Sequence, residues 1–373
     1  MLSFEHLSYW EKRAFLEGID VCIIGSGIVG MTTAFCLKKA RPKLKILILE
    51  RGYLPSGAST KNAGFACFGS PTEIANDLTI NSENEVWKTV SLRYEGLRKL
   101  FEIVDPKKIK YEPCGSWDLL KNDHEISADF IDYLNEKIKI ISGYEKCYSI
   151  DNQKIKSSGL KGFSKAYKND LEGSIHTDLL HEELYKKCIE KGIKFMHKVS
   201  VLKLLQENTI ETNFGELSAN NIVVCTNGLA RELLNLEVSP ARAQVVVSSP
   251  ISDLKIKGTF HFEKGYYYFR NVGNRVLFGG GRNTNLEGEK TKSLETTPEL
   301  INHLYALMKE NILPDHSFKL DYQWAGTMGI GPTKEPIVTR INNHVFAGVR
   351  MGGMGVAIGA MVGEKLSNLV LNG

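Results

Sequence analysis

The feature that most constrains this chain is a glycine-rich turn between an apolar run and a segment with helical spacing. Residues 19–24 are mostly β-branched and predict a buried parallel strand. A G-x-G-x-x-G turn follows at residues 25–30, and residues 31–40 then repeat their apolar side chains at helical intervals. A second apolar run, residues 44–50, ends on an acid and completes a β-α-β unit of about 32 residues.

The residues of this turn each have a physical role at a dinucleotide pyrophosphate. Gly25 permits the tight turn, Gly27 lets the backbone approach the phosphates, and Gly30 lets helix and strand pack closely. The helix N-terminus supplies free N–H groups and a partial positive charge. Glu50 can accept both ribose hydroxyls and would repel a 2′-phosphate, so NADP is disfavoured. The unit predicts a bound dinucleotide and does not distinguish NAD from FAD.

Composition and charge exclude several other classes of protein. The chain carries 47 Lys and Arg against 43 Asp and Glu, with no basic block, which gives no electrostatic case for nucleic-acid binding. Seven scattered cysteines without a C-x-x-C pair, and histidines without metal-ligand spacing, predict reduced thiols and no metal site. Neither a window of 18 apolar residues nor an apolar signal segment occurs, so we expect a cytoplasmic protein without a transmembrane segment.

The rest of the chain predicts two interleaved domains. A length of 373 residues suggests two domains, yet no repeat or Pro-rich linker separates them. Residues 242–283 are rich in short predicted strands with glycine turns, whereas helical patterns cover residues 82–104, 124–142, 177–191 and 297–311. Domain boundaries are therefore expected where the chain crosses between interleaved segments.

Further segments place small residues at the ends of predicted strands. A loop at 57–64 follows the acid-ended strand, a turn at 226–228 follows another strand, and a glycine loop at 352–355 precedes the last helix. Together with the segment Trp324-Ala325-Gly326-Thr327, they resemble the D-amino-acid-oxidase-like superfamily of FAD-dependent oxidoreductases. The resemblance extends from residue 20 to about residue 369.

This resemblance implies an α/β fold. A Rossmann-like FAD-binding domain of the glutathione-reductase type would interleave with a substrate domain built on a mainly antiparallel sheet with helices. The implied FAD-binding domain is discontinuous and comprises residues 1–84, 145–229 and 326–373. The implied substrate domain comprises residues 85–144 and 230–325.

The resemblance also implies which residues hold FAD. Loop 57–64 would line one edge of the flavin, and the helix N-terminus at 352–355 would stabilise negative charge on the reduced ring. We expect non-covalent FAD, because Thr327 precedes Met328 where some members of the family carry a cysteine. The expected FAD-binding residues are Gly25, Gly27, Ile28, Val29, Gly30, Glu50, Arg51, Ala58, Ser59, Thr60, Asn62, Ala63, Gly64, Val199, Thr226, Asn227, Gly228, Gly326, Gly352, Gly353, Met354 and Gly355.

The substrate side of the predicted site departs from the family. Several relatives bind a carboxylate through an Arg two residues after the glycine of W-x-G, and here that position is Met328. We therefore predict that Arg350 clamps a substrate carboxylate bidentately, with Arg282 and Arg270 in reserve. The alternative for Arg350 is a structural role in which it satisfies loop carbonyls. Tyr268 is a further candidate, because it lies in an aromatic strand that can reach the substrate.

These features predict an FAD-dependent enzyme that dehydrogenates the C–N bond of an amine or amino acid, giving an imine that hydrolyses. Its partners would be that small-molecule substrate and oxygen or a quinone, which reoxidises the flavin. Leu277 replaces a Lys found in oxygen-using relatives and favours a dehydrogenase. Two alternatives stay open. One is oxidation of a 2-hydroxy acid, disfavoured by Met354 in place of the family's loop His, and the other is a non-catalytic FAD-binding subunit or sensor.

Overall fold

A computed structural model describes residues 3–121, 126–206 and 208–373. The helices are α1 (Tyr9–Glu11), α2 (Ile28–Ala40), α3 (Ala58–Lys61), α4 (Pro71–Leu78), α5 (Glu83–Ile103), α6 (Ala128–Ser142), α7 (Gln153–Ser157), α8 (Thr177–Glu190), α9 (Pro298–Leu307) and α10 (Gly355–Asn372). Short 3₁₀ or π turns occupy Phe4–His6, Lys12–Leu16, Asn227–Glu232, Arg282–Thr284 and Met308–Ile312. The first two residues of the helix predicted at 124–142 lie outside the described residues.

The strands fall into four sheets. They are β1 (Val21–Ile24), β2 (Ile46–Glu50), β3 (Phe65–Ala66), β4 (Ser116–Leu120), β5 (Tyr148–Ile150), β6 (Lys165–Asn169), β7 (Gly173–Ser174), β8 (Lys194–His197), β9 (Val201–Leu204), β10 (Thr209–Thr212), β11 (Gly215–Ser218), β12 (Asn221–Val224), β13 (Ser239–Ser248), β14 (Thr259–Phe262), β15 (Tyr267–Val272), β16 (Arg275–Gly280), β17 (Leu320–Ile330), β18 (Ile337–Arg340) and β19 (Val345–Val349). The two large sheets have six and eight strands within the described residues.

The six-stranded sheet has the order β18-β19-β12-β1-β2-β8, and all its pairs are parallel except β18–β19. Every residue of β1 and β2 is buried, as the apolar runs predict. In register, Ile24 at the end of β1 lies between Leu49 and Val224. The carboxyl ends of these central strands therefore meet at one edge, which is where ligands bind in open parallel sheets.

The eight-stranded sheet has the order β17-β13-β16-β15-β14-β4-β6-β5 and is antiparallel except for the β14–β4 pair. A Rossmann-like sheet and a mainly antiparallel sheet in one chain confirm the predicted α/β class. Strands β5 and β6, which fall within the predicted FAD segment 145–229, lie at the edge of this second sheet. The exact domain boundaries stay a prediction.

Close helix packing positions the start of α10 beside the start of α2. A Cβ at Gly359 of α10 would lie 2.8 Å from the Ile28 side chain, and a Cβ at Gly96 of α5 would lie 2.1 Å from the Ala357 carbonyl. Glycine at both positions therefore lets α10 fit between α2 and α5 at a distance that larger side chains prevent. No helix within the described ranges combines the length and apolar character needed to cross a membrane.

Candidate functional site

A cavity of about 870 Å³ is lined by the carboxyl edge of the six-stranded sheet and by residues of the eight-stranded sheet. Most of the residues predicted to bind FAD line it, although they come from seven separate parts of the chain. They are Gly25, Gly27, Ile28, Val29, Glu50, Arg51, Ala58, Ser59, Asn62, Ala63, Val199, Thr226, Asn227, Gly326, Gly352, Gly353, Met354 and Gly355. Gly30, Thr60, Gly64 and Gly228 are absent from the lining.

The glycine turn has the geometry that a pyrophosphate cradle needs. Gly25 adopts a φ of 108°, a conformation that residues with a side chain rarely adopt. A Cβ at Gly30 would lie 2.0 Å from the Gly25 carbonyl oxygen, so its role is the close packing of helix on turn. A Cβ at Gly27 would lie 2.8 Å from the Ser59 hydroxyl and would fill the cradle. At the start of α2 the Ile28 N–H donates to the Ser59 hydroxyl at 3.0 Å, and Ile28 and Val29 line the same cavity, so the positive end of the helix meets the space where an anion would bind.

Glu50 is held rigidly at the end of β2. Its side chain is buried, and one carboxylate oxygen accepts from the Ser26 hydroxyl at 2.6 Å while the other accepts from the Gly52 N–H at 2.9 Å. Each oxygen keeps further acceptor capacity, so the carboxylate can also receive ribose hydroxyls. Val199 joins this end of the cavity because its N–H donates to the Glu50 carbonyl at 2.9 Å.

Loop 57–64 is fixed by its own polar side chains. Asn62 donates to the Ser59 carbonyl at 2.7 Å and accepts from the Gly64 N–H at 2.8 Å. Thr60, predicted to contact FAD, instead donates to the Pro55 carbonyl at 2.7 Å and stabilises the loop from outside the cavity. Gly64 also serves the backbone, because a Cβ there would lie 2.4 Å from the Ile175 carbonyl oxygen.

The opposite edge of the cavity is formed by β17 and the start of α10. The Asn227 side chain accepts from the Met351 N–H at 3.1 Å, and the Gly352 N–H donates to the Gly329 carbonyl at 2.9 Å. Gly228, predicted to bind FAD, packs instead on the backbone of Met328, whose carbonyl oxygen lies 2.3 Å from where its Cβ would be. The N-terminus of the 18-residue helix α10 thus faces the cavity with its partial positive charge.

Two orphaned hydroxyls mark the same region. Thr226 and Thr327 both line the cavity, and their buried side-chain oxygens have no partner among the described residues. Buried hydroxyls are normally hydrogen-bonded, so the two unpaired hydroxyls indicate that a polar ligand binds here. Together with the cradle at Gly27 and the acceptor at Glu50, they supply polar groups of the kind that a bound dinucleotide requires.

The structure corrects the prediction for Arg350. Its φ is 67°, and the guanidinium donates to the Glu335 carbonyl at 2.9 Å, the Glu237 carbonyl at 3.1 Å and the Thr333 hydroxyl at 3.1 Å. Arg350 is buried and absent from the lining. Because each of its three guanidinium nitrogens bonds to the protein, it supports the turn after β17, which is the structural alternative for this residue.

Three other predicted substrate residues, Arg282, Tyr268 and Met328, line the cavity, whereas Arg270 does not. Arg282 is half-buried, its guanidinium carbon lies 6.0 Å from the Tyr266 ring centroid, and it makes no hydrogen bond or ion pair within the described part of the chain. Burial raises the pKa of Tyr268 to about 12, so its hydroxyl stays protonated. Met328 contacts the glycine loop, with its sulfur 3.1 Å from where a Cβ of Gly353 would be. Arg270 serves the fold instead, donating to the Gly64 carbonyl at 3.0 Å.

Sequence reasoning missed His261. It lines the cavity, and burial lowers its pKa to about 4, so the imidazole is neutral near pH 7. The signal was present in the alternation of β14, because Phe260 and Phe262 point into the apolar core and the residue between them must face the opposite side.

An ion-pair cluster at one end of the cavity was also missed. Both guanidinium nitrogens of buried Arg93 donate to Glu73 at 3.1 Å, and the Lys334 ammonium lies 2.7 Å from both Glu73 and Asp77. Burial alone would raise the pKa of Glu73, but Arg93 and Lys334 outweigh it and lower that pKa to about 2. These contacts join α4 to the turn after β17. No sequence signal indicates them, since Glu73 and Lys334 are far apart in the chain.

Comparison with known proteins gives consistent results along the whole chain. Residues 20–369 match the DAO family, described as FAD dependent oxidoreductase. The chain is 22% identical to the probable oxidoreductase OrdL of Haemophilus influenzae over 95% of this chain and 84% of that protein. It is 20% identical to the gamma-glutamylputrescine oxidoreductase of Escherichia coli over 94% of this chain and 83% of that protein.

Solved structures share the fold. L-proline dehydrogenase from P. horikoshii superposes with a TM-score of 0.76 at 18% identity, over 96% of this chain and 94% of its own. Glycine oxidase from Bacillus cereus superposes with a TM-score of 0.75 at 17% identity, over 95% of both chains.

Proposed function

The chain belongs to the DAO family of FAD-dependent oxidoreductases, and from this premise we propose that it oxidises the C–N bond of an amine or amino acid. The observation that carries the proposal is the guanidinium of Arg282, which lies over the Tyr266 ring, makes no hydrogen bond or ion pair within the described residues, and lines the same cavity as the FAD-binding turns. A guanidinium whose N–H donors are unused suits a substrate carboxylate, which it can bind through two parallel hydrogen bonds.

The relatives support the choice of a nitrogen-bearing substrate. The names gamma-glutamylputrescine oxidoreductase, L-proline dehydrogenase and glycine oxidase each state an amine or amino acid. The cavity wall also suits a nitrogen-bearing substrate, because the side chains of Tyr268 and His261 are neutral polar groups. A partly dry, neutral wall lowers the pKa of a bound amine and favours its unprotonated form, whose lone pair is needed to form the C=N bond.

The chain's own residues have defined tasks in this reaction. FAD, when bound, supplies the oxidant that takes two electrons from the substrate. Glu50, the turn at Gly25–Gly30 and the start of α10 hold that cofactor, while Arg282 holds the substrate carboxylate. The substrate loses a hydride from carbon and a proton from nitrogen, and water then hydrolyses the imine to a carbonyl compound and an amine or ammonia.

Three finer points belong to the same proposal. FAD is bound non-covalently, because Thr327 offers no nucleophilic sulfur, and burial raises the pKa of both cysteines that line the cavity, Cys67 and Cys225. Oxygen or a quinone reoxidises the flavin, and Leu277 favours a dehydrogenase. The protein is a cytoplasmic one.

Anaerobic reduction of the flavin tests the proposed function. The purified holoprotein is mixed with amino acids, their decarboxylated amines and the matching 2-hydroxy acids, and the visible flavin absorbance is followed. We expect bleaching by at least one nitrogen compound and none by its 2-hydroxy analogue. Bleaching by the hydroxy acid alone would establish the C–O alternative, and no bleaching by any compound would indicate a non-catalytic flavoprotein.

A further inference from the structure

His261 lies on the face of the eight-stranded sheet that lines the cavity. Its strand neighbours Phe260 and Phe262 are fully buried in the core on the other face. Strand alternation therefore turns the His261 ring towards the cavity, and it belongs to the lining. Its position follows from the sheet itself and not from a mobile loop.

The His261 imidazole has no hydrogen-bond partner among the residues that the structure describes. Its Nδ1 is buried without a partner, and within the described residues neither ring nitrogen makes a hydrogen bond. Burial lowers the pKa of His261, opposed only by the negative charge of Glu73. Asp118, the in-register neighbour on β4, directs a carboxylate oxygen to the Thr72 N–H at 2.8 Å. A neutral imidazole carries one acceptor and one donor nitrogen, and the half-buried ring of His261 leaves Nε2, which is not among the buried unpaired atoms, available to a ligand in the cavity.

The surroundings of His261 place it beside the expected flavin edge. In register it pairs with Tyr268, and the two side chains share one face of the sheet. The Phe65 ring lies 5.0 Å from the His261 ring and 5.6 Å from the Tyr268 ring, measured between centroids. Phe65 directly follows loop 57–64, which Arg270 pins to this sheet through the Gly64 carbonyl.

We propose that His261 accepts a hydrogen bond from an N–H of the substrate's reacting nitrogen and so orients the adjacent carbon for oxidation. The inference rests on the proposed function and names a residue that contacts the nitrogen side of the substrate. A neutral imidazole offers an acceptor to an amine but no charge to a carboxylate, which Arg282 can bind. His261 and Arg282 thus recognise the two polar ends of an amino acid, with Tyr268 between them.

Two substitutions separate hydrogen bonding from packing. His261→Phe keeps a ring of similar size and removes both nitrogens, whereas His261→Asn keeps an amide oxygen near the place of Nδ1. His197→Phe is the matched control, because His197 also has a buried Nδ1 without a partner but is absent from the cavity lining. Bound FAD per chain and thermal unfolding of each holoprotein report whether the fold is intact.

The readout is anaerobic flavin reduction by the best amine found for the wild type. We expect His261→Phe to lower the rate constant of reduction divided by Kd about 10- to 100-fold, and His261→Asn to restore much of it. His197→Phe should stay within about twofold of wild type. A His261→Phe variant that folds, binds FAD and reduces at the wild-type rate overturns the proposal.

A binding measurement is independent of turnover. The same amine and its N,N,N-trimethyl derivative, which has no N–H, are titrated while the flavin spectrum is followed. The wild type should prefer the N–H compound, and His261→Phe should lose most of that preference. If His261→Phe keeps the wild-type preference for the N–H compound, the role of His261 is contradicted and the proposed function is not. A wild type that neither binds nor is reduced by any amine contradicts the proposed function and this inference together.

Discussion

At the level of single residues, Glu50 carries the most specific chemistry of the cofactor end. Ser26 and Gly52 hold its two oxygens in place, so a ribose hydroxyl meets a carboxylate that needs no reorganisation. Glu50→Ala should weaken FAD binding by about 1–3 kcal/mol, the loss of charge-assisted hydrogen bonds. Fluorescence titration of the apoprotein with FAD measures this affinity. Glu216→Ala, at an exposed position on β11, is the control. An affinity equal to wild type would mean that the ribose is held elsewhere.

Arg282 carries the corresponding prediction for the substrate end. With an amino-acid substrate, Arg282→Ala should lower kcat/KM by about 2–4 kcal/mol, or roughly 30- to 1000-fold, because a carboxylate in a partly dry pocket loses its only proposed partner. Arg282→Lys should recover little, since lysine lacks the planar fork. Steady-state assays compare the amino acid with its decarboxylated amine.

Arg350→Ala is the matched control for that experiment. It removes three hydrogen bonds to the turn after β17, so it should lower thermal stability and affect both substrates alike. A selective loss on the carboxylated substrate in Arg350→Ala, with none in Arg282→Ala, would reverse the two assignments.

These residues also show what a sequence can predict at this scale. Gly25, Gly27 and Glu50 were predictable because their roles depend on backbone geometry within one continuous β-α-β unit. The role of Arg350 was not predictable, because its proximity to the glycine loop in the sequence does not fix whether the side chain turns into the cavity or beneath it. Its left-handed φ is likewise not evident from the sequence. His261 needed the strand alternation and the knowledge of which face meets the cavity.

At the level of elements, the start of α4 depends on a buried acid from the second sheet. Asp118 of β4 accepts from the N–H of Thr72, in the first turn of α4, and so stabilises the helix that carries Glu73 to the cavity. Burial raises the pKa of Asp118 from its ordinary value of 3.8 to about 6. The folded protein therefore binds this proton more tightly than the unfolded chain, and the contribution of Asp118 to stability falls as pH rises from about 4 to about 6.

Asp118→Asn should remove this pH dependence. The amide oxygen can still accept from Thr72 without a buried charge, so the variant should be more stable than wild type at pH 7 by about 1–3 kcal/mol. Urea unfolding of the holoprotein between pH 4 and 8 measures the difference, with the exposed Asp132→Asn on α6 as control. A variant that is less stable at pH 7, or that keeps the wild-type slope, would contradict the prediction.

Among the elements, helices such as α5 and α8 were predictable within one or two residues from their apolar period. Strand partners were not, since β4 pairs in parallel with β14 although about 140 residues separate them in the chain. A period of two identifies a strand and its faces but leaves its neighbours undetermined. The cavity wall that contains His261 depends on that pairing.

At the level of the whole molecule, we expect FAD to be held only by non-covalent contacts. Acid precipitation of the yellow holoprotein should release all of the flavin, and chromatography of the supernatant should identify it as FAD. Thr327 at the position that precedes Met328 supplies no nucleophilic sulfur, and we expect the cradle to hold the cofactor through hydrogen bonds and packing. Flavin that remains in the washed pellet would contradict this expectation.

The overall architecture was the most predictable level, because the β-α-β unit at the start of the chain already implies a parallel sheet with a ligand at its carboxyl edge. The interleaving of the two sheets was harder to predict from the sequence. Strands β5 and β6 lie within the segment predicted for the FAD-binding domain, yet they pair within the eight-stranded sheet. Long-range pairings set where such segments go, and local patterns carry no information about them.

A single-turnover product analysis shows whether the enzyme oxidises a C–N bond. The holoenzyme is mixed anaerobically with the amino acid or amine that bleaches its flavin, and the carbonyl compound and released ammonia or amine are quantified against flavin reduced. Oxidation at a C–N bond predicts one carbonyl and one nitrogen product for each FAD reduced. Flavin reduction with the nitrogen still attached to the product would contradict the account.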